Sequence, residues 1–351
     1  MTTKAKYDKL LSLAAILLVA GCAQVPPSNI TRDRFEYGET LAESAKRQTL
    51  INIVRLRYAD TTLFMDVTSV INSYSMAGKL SGGVVFRPSN PEGKDILLGG
   101  EGAWSNTPTV TYAPLGGDKY TRSLLRPVAP VSIFQMLQAG WPADLLFRTS
   151  VRSVNNISNR RLGGSDADPR FDEMLKALDR VMQSQAVGIR VEESKGGDGS
   201  VMVIRSGDTR EVERDLTWLR DLWQIDPGTT EINVSYGGVQ RNGKEIAVLT
   251  RSMLEIMLAI ALDIDVPAAH IEQKRVLRGA QGDDTPRLVR IRSGPVAPAD
   301  AFAAVPFKDQ WFWIDDTDVI SKMRFSFLMI LFSLAEAGTS ITAPVVTVPS
   351  R

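Results

Sequence analysis

Between 36 and 58 apolar residues recur at helical spacing. Leu50, Ile53, Val54 and Tyr58 mark one stripe while Arg55 and Arg57 fall off it, which predicts a helix. From Leu63 the period shortens to two: Leu63, Met65, Val67 and Ile71 alternate with Phe64, Asp66, Thr68 and Asn72, the pattern of a strand. Nine of the chain's 27 glycines fall between 77 and 117, and two stretches there also alternate. In 76–87, Met76, Gly78, Leu80, Gly82, Val84 and Phe86 oppose Ala77, Lys79, Ser81, Gly83, Val85 and Arg87. In 96–105, Ile96, Leu98, Gly100, Gly102 and Trp104 oppose Leu97, Gly99, Glu101, Ala103 and Ser105. The polar run from Arg87 to Asp95 supplies a turn, so the region predicts a long β-hairpin, followed by a strand near Thr109–Tyr112.

Beyond the hairpin the pattern predicts a short helix at 130–139 and a strand at Leu145–Val154. The polar stretch 158–169 is the best internal boundary, dividing a β-rich part (36–157) from an α+β part (170–351). Helices are expected at 170–183 and 210–223, strands at 187–193 and 200–205 around Lys195–Gly199, and strands at 231–236 and 244–249 around Gly237-Gly238 and Asn242-Gly243. Residues 251–263 are apolar on nearly all sides and predict a buried helix. Strands near 287–292 and 311–314 precede a core helix at 318–335. The fold class is α+β: mixed sheets, packed helices and a glycine-rich hairpin region, in two subdomains.

The first residues bear on compartment. Lys4, Lys6 and Lys9 precede the uncharged run Leu10–Ala20, which is too short to span a bilayer and has the form of a secretory signal peptide. The run ends in Val19-Ala20-Gly21-Cys22, which resembles the lipobox of bacterial lipoprotein precursors. The resemblance implies cleavage between Gly21 and Cys22, diacylglycerol on the Cys22 sulfur and acylation of the new amino group, palmitate being a typical chain. The alternative is an ordinary signal peptide with an incidental cysteine. Ala23, where an Asp would favour inner-membrane retention, implies an outer-membrane lipoprotein facing the periplasm, and residues 22–35, with two prolines, read as a lipidated tether. Beyond this leader the chain resembles no family.

Composition narrows the chemistry. With 41 Lys+Arg against 40 Asp+Glu, the net charge of +1 points away from nucleic acid. One Cys and one His exclude disulfide frameworks, Cys-rich zinc sites and any motif needing two histidines. His270 has no Gly-x-Ser-x-Gly partner, and neither the dinucleotide fingerprint nor the phosphate-loop motif occurs. No catalytic residues, metal or cofactor are expected beyond the covalent lipid on Cys22. Lys274, Arg275, Arg278, Arg287, Arg290 and Arg292 read as a solvated basic face, and Asp263, Asp265, Asp283 and Asp284 as helix-end and loop acids.

Two segments carry functional readings. Trp311, Trp313 and Asp315 belong to a run of aromatics followed by acids, which suits a sugar or cation site; the plainer reading is a buried strand followed by a helix N-cap at Asp316 or Asp318. The hairpin arms match the length of a tilted transmembrane strand, with Leu80, Val84, Leu98 and Trp104 as the candidate partner or membrane surface. Three functions are therefore expected in order: a lipid-anchored envelope protein with a structural or assembly role through protein partners or self-association; a subunit of an oligomeric outer-membrane export pore; and a cell-wall glycan binder or hydrolase.

Overall fold

Helix α1 (Pro27–Arg57) enters the body of the protein with Leu50, Ile53 and Val54 fully buried and Tyr58 just beyond its end, the stripe read from the sequence. It begins at Pro27 rather than at 36, so much of the expected tether is helical; proline suits a first helical turn, where its missing N–H has no partner to lose. The computed structural model describes residues 27–86, 94–159, 167–194, 197–277, 279 and 287–336. The expected signal peptide, Cys22, Arg278, Asp283 and Asp284 lie outside the described residues, as do residues 87–93 and 195–196 of the two expected turns.

The chain then forms β1 (Met65–Phe86) and β2 (Lys94–Pro114), one continuous antiparallel hairpin. The strands expected near 63–72 and 109–112 are its lower part, not separate elements. A short helix α2 (Gly117–Tyr120) and a π-helical turn (Thr121–Leu125) lead to α3 (Pro130–Gln138), again opened by proline. The strand expected at 145–154 is α4 (Ala143–Ser150) followed by β3 (Val151–Val154). Leu145, Leu146, Phe147, Thr149 and Ser150 are all buried, while Asp144 and Arg148, one helical turn apart, pair on the remaining polar face, a spacing that fits a helix and not a strand.

A six-stranded mixed sheet is ordered β4-β3-β8-β7-β6-β5, with β4 (Ile157–Ser158), β5 (Val187–Ser194), β6 (Gly197–Ile204), β7 (Glu231–Tyr236) and β8 (Glu245–Thr250). Because β3 pairs with β8, one sheet draws strands from both sides of the boundary expected at 158–169. Helix α3 lies across β5 to β8; α5 (Pro169–Gln183) packs on α4 and on α6 (Arg210–Leu222). Capping follows local sequence: Asp168 accepts from Arg170 N, Thr209 from Val212 N, and Ser252 with Glu255 forms a capping box on the buried helix α7 (Met253–Leu262). A second, three-stranded sheet is ordered β10-β11-β9, from β9 (Arg292–Gly294), β10 (Ala303–Phe307) and β11 (Gln310–Ile314). Helix α1 packs on β10 and on α7, α8 (Ala268–Glu272) is one short turn, and α9 (Val319–Glu336) closes the described chain. The fold is α+β.

Segment 287–291 alternates in burial as expected, with Val289 and Ile291 fully buried, yet only Arg292–Gly294 forms a strand. Its backbone donors are taken by side chains: Leu288 N–H donates to Asp263 Oδ2 at 2.6 Å and Arg290 N–H to Ser321 Oγ at 2.8 Å. A backbone bonded to side chains cannot also form a ladder.

Strands β7 and β8 are parallel although only residues 237–244 connect them, a shorter return than parallel strands usually take. The loop is pinned by Glu245, a buried carboxylate that accepts from Arg241 N at 2.8 Å and from its guanidinium at 2.8 Å and 3.0 Å. These bonds to Arg241, against the opposing effect of burial, hold the Glu245 pKa down to about 2 from its ordinary 4.5. A depressed acid stabilises the fold fully above 4.5, and that contribution is lost as pH falls through 4.5 toward 2. Glu245→Gln is expected to cost about 1–3 kcal/mol at neutral pH, a range reduced because Arg241 is exposed, and to flatten the acid limb in that window. Denaturant titrations of both proteins at pH 7 and pH 3 check this; equal losses at both pH values would contradict it.

Candidate functional site

The hairpin emerges where α1 and β1 are stitched together. Gln48 accepts from Met65 N–H at 2.8 Å and donates to the Met65 carbonyl; Asn52 bonds Leu63 in the same way. Residue 63 therefore lies beside 52 and residue 65 beside 48, so β1 runs antiparallel to α1 and departs toward the side from which α1 arrives. An ion pair of Lys119 with Asp66 and the bond from Leu115 N–H to the Phe64 carbonyl complete the root.

From that root the strands run for 22 and 21 residues, about 70 Å at the usual rise per residue. Among the described residues they pair only with each other, and beyond the bonds at the root no other element packs extensively on them. Such a ribbon has two open edges, and two strands alone are at best marginally stable in water.

Register decides which residues share a face. Leu80 is opposite Gly100, Gly82 opposite Leu98, Val84 opposite Ile96 and Met76 opposite Trp104, so the candidates Leu80, Val84, Leu98 and Trp104 all fall on one face. A register shift between Val67 and Ser69 leaves Thr68 unpaired, which places Val67 (opposite Tyr112) and Val70 (opposite Val110) on that same face. Without the bulge the two periods would be out of phase. In the lower part, Val67, Val70 and Tyr112 are exposed. The other face carries Ser69, Ile71, Ser73, Ser75, Ser105, Thr107, Thr109 and Thr111 in its lower part, and above them Ala77, Lys79 directly opposite Glu101, Ser81, Gly83, Val85, Asp95, Leu97, Gly99 and Ala103. The side chains of 72–108 lie outside what is described, so for Leu80, Val84, Leu98 and Trp104 only the register position is established.

The aromatic–acidic run resolves differently. Phe312 and Ile314 are buried while Trp311 and Trp313 share the other face of β11, Trp311 being exposed. Trp311, Phe307 and the turn Lys308-Asp309, both residues at positive φ, line an open cavity of about 350 Å³. The acids that follow bond within their own neighbourhood. Asp315 accepts from Thr317 Oγ1 at 2.6 Å and Thr317 N at 3.0 Å, contacts that lower its pKa. Asp316 pairs with Lys322 at 2.6 Å, and Asp318 accepts from Ser321 N–H and Oγ–H at the start of α9, so of the two expected caps Asp318 is the one observed. The Trp313 Nε1 is buried with no partner among the described residues.

His270 is buried, its Nδ1 sharing a 2.7 Å hydrogen bond with the Tyr58 hydroxyl. Burial, reinforced by Arg275 and Lys308, holds its pKa below the ordinary imidazole value. The expected basic face is only partly solvated: the Arg287 side chain is buried and paired with Asp265, and Arg290 lies 3.8 Å from the same carboxylate. Asp263 caps the end of α7, the helix-end role expected of it.

One surface was not legible in the sequence. Helix α9 buries Phe325, Phe327, Leu328 and Leu331, but Val319, Ile320, Met323, Ile330 and Leu334 are exposed. A helix apolar all round reads as core, and nothing local marks the half that stays uncovered. Near its end Phe332 meets Phe64 at 5.9 Å, beside the hairpin root. Among the described residues no helix is long and apolar enough to cross a membrane, and no cluster of His, Cys, Asp and Glu could hold a metal. No family model, curated protein or solved structure matches the chain.

Proposed function

We propose that this chain is a lipid-anchored outer-membrane protein whose copies assemble by pairing their hairpins edge to edge, closing a β-barrel and serving as subunits of an oligomeric pore with their bodies in the periplasm. The observation that carries this reading is the β1–β2 ribbon, about 70 Å long, with one largely apolar face, one mixed face that bears Lys79, Ser81, Asp95 and Glu101 in its distal half and serines and threonines below, and two open edges. In lipid every backbone polar group needs a partner, so a hairpin becomes acceptable there only when neighbours pair with both edges and the sheet closes. Lipid at Cys22 would hold the entering end of α1 at the bilayer, on the side toward which the hairpin departs.

Size measures assembly directly. The native lipoprotein, extracted in mild detergent, is expected to behave as a ring of several copies. Single cysteines on the outer edges of β1 and β2 are expected to cross-link between copies in membranes. A monomer in both measurements, or a complex containing one copy and a different protein, would overturn self-assembly.

A further inference from the structure

We infer that only the distal half of the hairpin crosses the bilayer, from the row Met76–Trp104 to the row Phe86–Lys94, and that the half below it stands in water as a stalk. The inference rests on the pore reading and deepens it by naming the lipid-facing segment.

Three features of the register locate the band. First, length: ten residue steps separate row 76–104 from row 86–94, about 34 Å along the strand at ~3.4 Å per residue. Tilted by about 45°, that is about 24 Å of height, against roughly 25 Å for the apolar band of a membrane barrel. Second, boundaries: the face carrying Leu80 has Tyr74, Met76 and Trp104 at its lower limit and Phe86 beside Lys94 at the upper, positions where aromatic girdles and a basic side chain favour the interface. Between them that face holds only Gly78, Leu80, Gly82, Val84, Ile96, Leu98, Gly100 and Gly102. Third, exclusion of the lower half: below row 76 the same face carries Asn72 and Asn106, and Pro108 lies opposite Asn72. Proline has no N–H to give, so a lipid-exposed ladder there would leave an acceptor without its donor. From Lys94 to Thr107, β2 contains no proline, and β1 contains none throughout. Within the band the opposite face places Lys79 directly against Glu101 and Asp95 opposite Val85, so the lumen would carry one basic and two acidic positions per subunit.

The test uses the full-length lipoprotein, whose sole native thiol is the acylated Cys22. Single substitutions Leu80→Cys, Val84→Cys, Ser81→Cys, Val70→Cys and Tyr112→Cys are made in turn. Open outer-membrane fragments are treated with a water-soluble maleimide and, separately, a lipid-soluble one, and edge cross-linking is measured on the same samples. Positions 80 and 84 are expected to lose labelling by the water-soluble reagent and gain it from the lipid-soluble one. Positions 81, 70 and 112 are expected to label from water, although 70 and 112 share the face of 80. Two positions in the band guard against one variant failing to fold. Rings in which 70 and 112 are protected like 80, or in which 80 and 84 label from water, overturn the band while leaving self-assembly standing. Absence of rings overturns the pore reading itself.

Discussion

Cys22→Ser is expected to abolish membrane attachment. The thioether to diacylglycerol requires sulfur, and a serine oxygen does not replace it as the nucleophile in that transfer. The variant should accumulate as an uncut precursor or a soluble chain, incorporate no labelled fatty acid and form no rings, since assembly would begin from copies concentrated on one surface. Several acyl chains make anchoring effectively permanent whereas one gives only marginal binding, so partial acylation should leave a measurable soluble fraction. Normal incorporation of label into the serine variant would refute the lipobox reading of Val19-Ala20-Gly21-Cys22.

Phe312→Ala is expected to lose about 3–5 kcal/mol of stability, while Trp311→Ala, at the neighbouring position, should lose less than about 1 kcal/mol. Phe312 is 0% exposed and meets Tyr58 edge-on at 6.0 Å, so its removal leaves a cavity between α1 and β11 and loosens the ring that bonds His270. Trp311 is 36% exposed on the opposite face. Denaturant unfolding of the two variants measures the difference, and equal losses would mean that β11 does not present its faces as described. If Trp311→Ala, well folded, removed binding to purified cell-wall material, the cavity beside it would have a ligand and the glycan-binding expectation would return.

Helix limits were legible where the signal is local. The limits expected from apolar spacing agree with the structure to within a residue or two at α5, α6 and α7, where Asp168, Thr209 and Ser252 cap the helix starts. Failures came where burial or a distant partner decides. Residues 145–150, buried except for Arg148, read as a strand and fold as a helix, and 287–291 has a strand's alternation but gives N–H groups to Asp263 and Ser321. Asp315, Asp316 and Asp318 look like a ligand cluster in one dimension; in three, each has its own structural bond.

By itself the sequence determined a lipobox-like leader, an α+β pattern and a hairpin with an alternating apolar face, because each of these is written within a few consecutive residues. Only the tertiary structure decided that β7 and β8 run parallel, that β3 joins their sheet across the polar stretch at 158–169, and that half of α9 stays uncovered. It also decided that the faces of β1 and β2 coincide, through a register and a bulge at Thr68 that set Leu80 with Leu98 and Val67 with Tyr112. The physical reason is common to all of them. Alternation is a property of one strand, but pairing, direction and exposure are properties of two segments far apart in the chain, and a slip of one residue in either would have put the apolar positions on opposite sides.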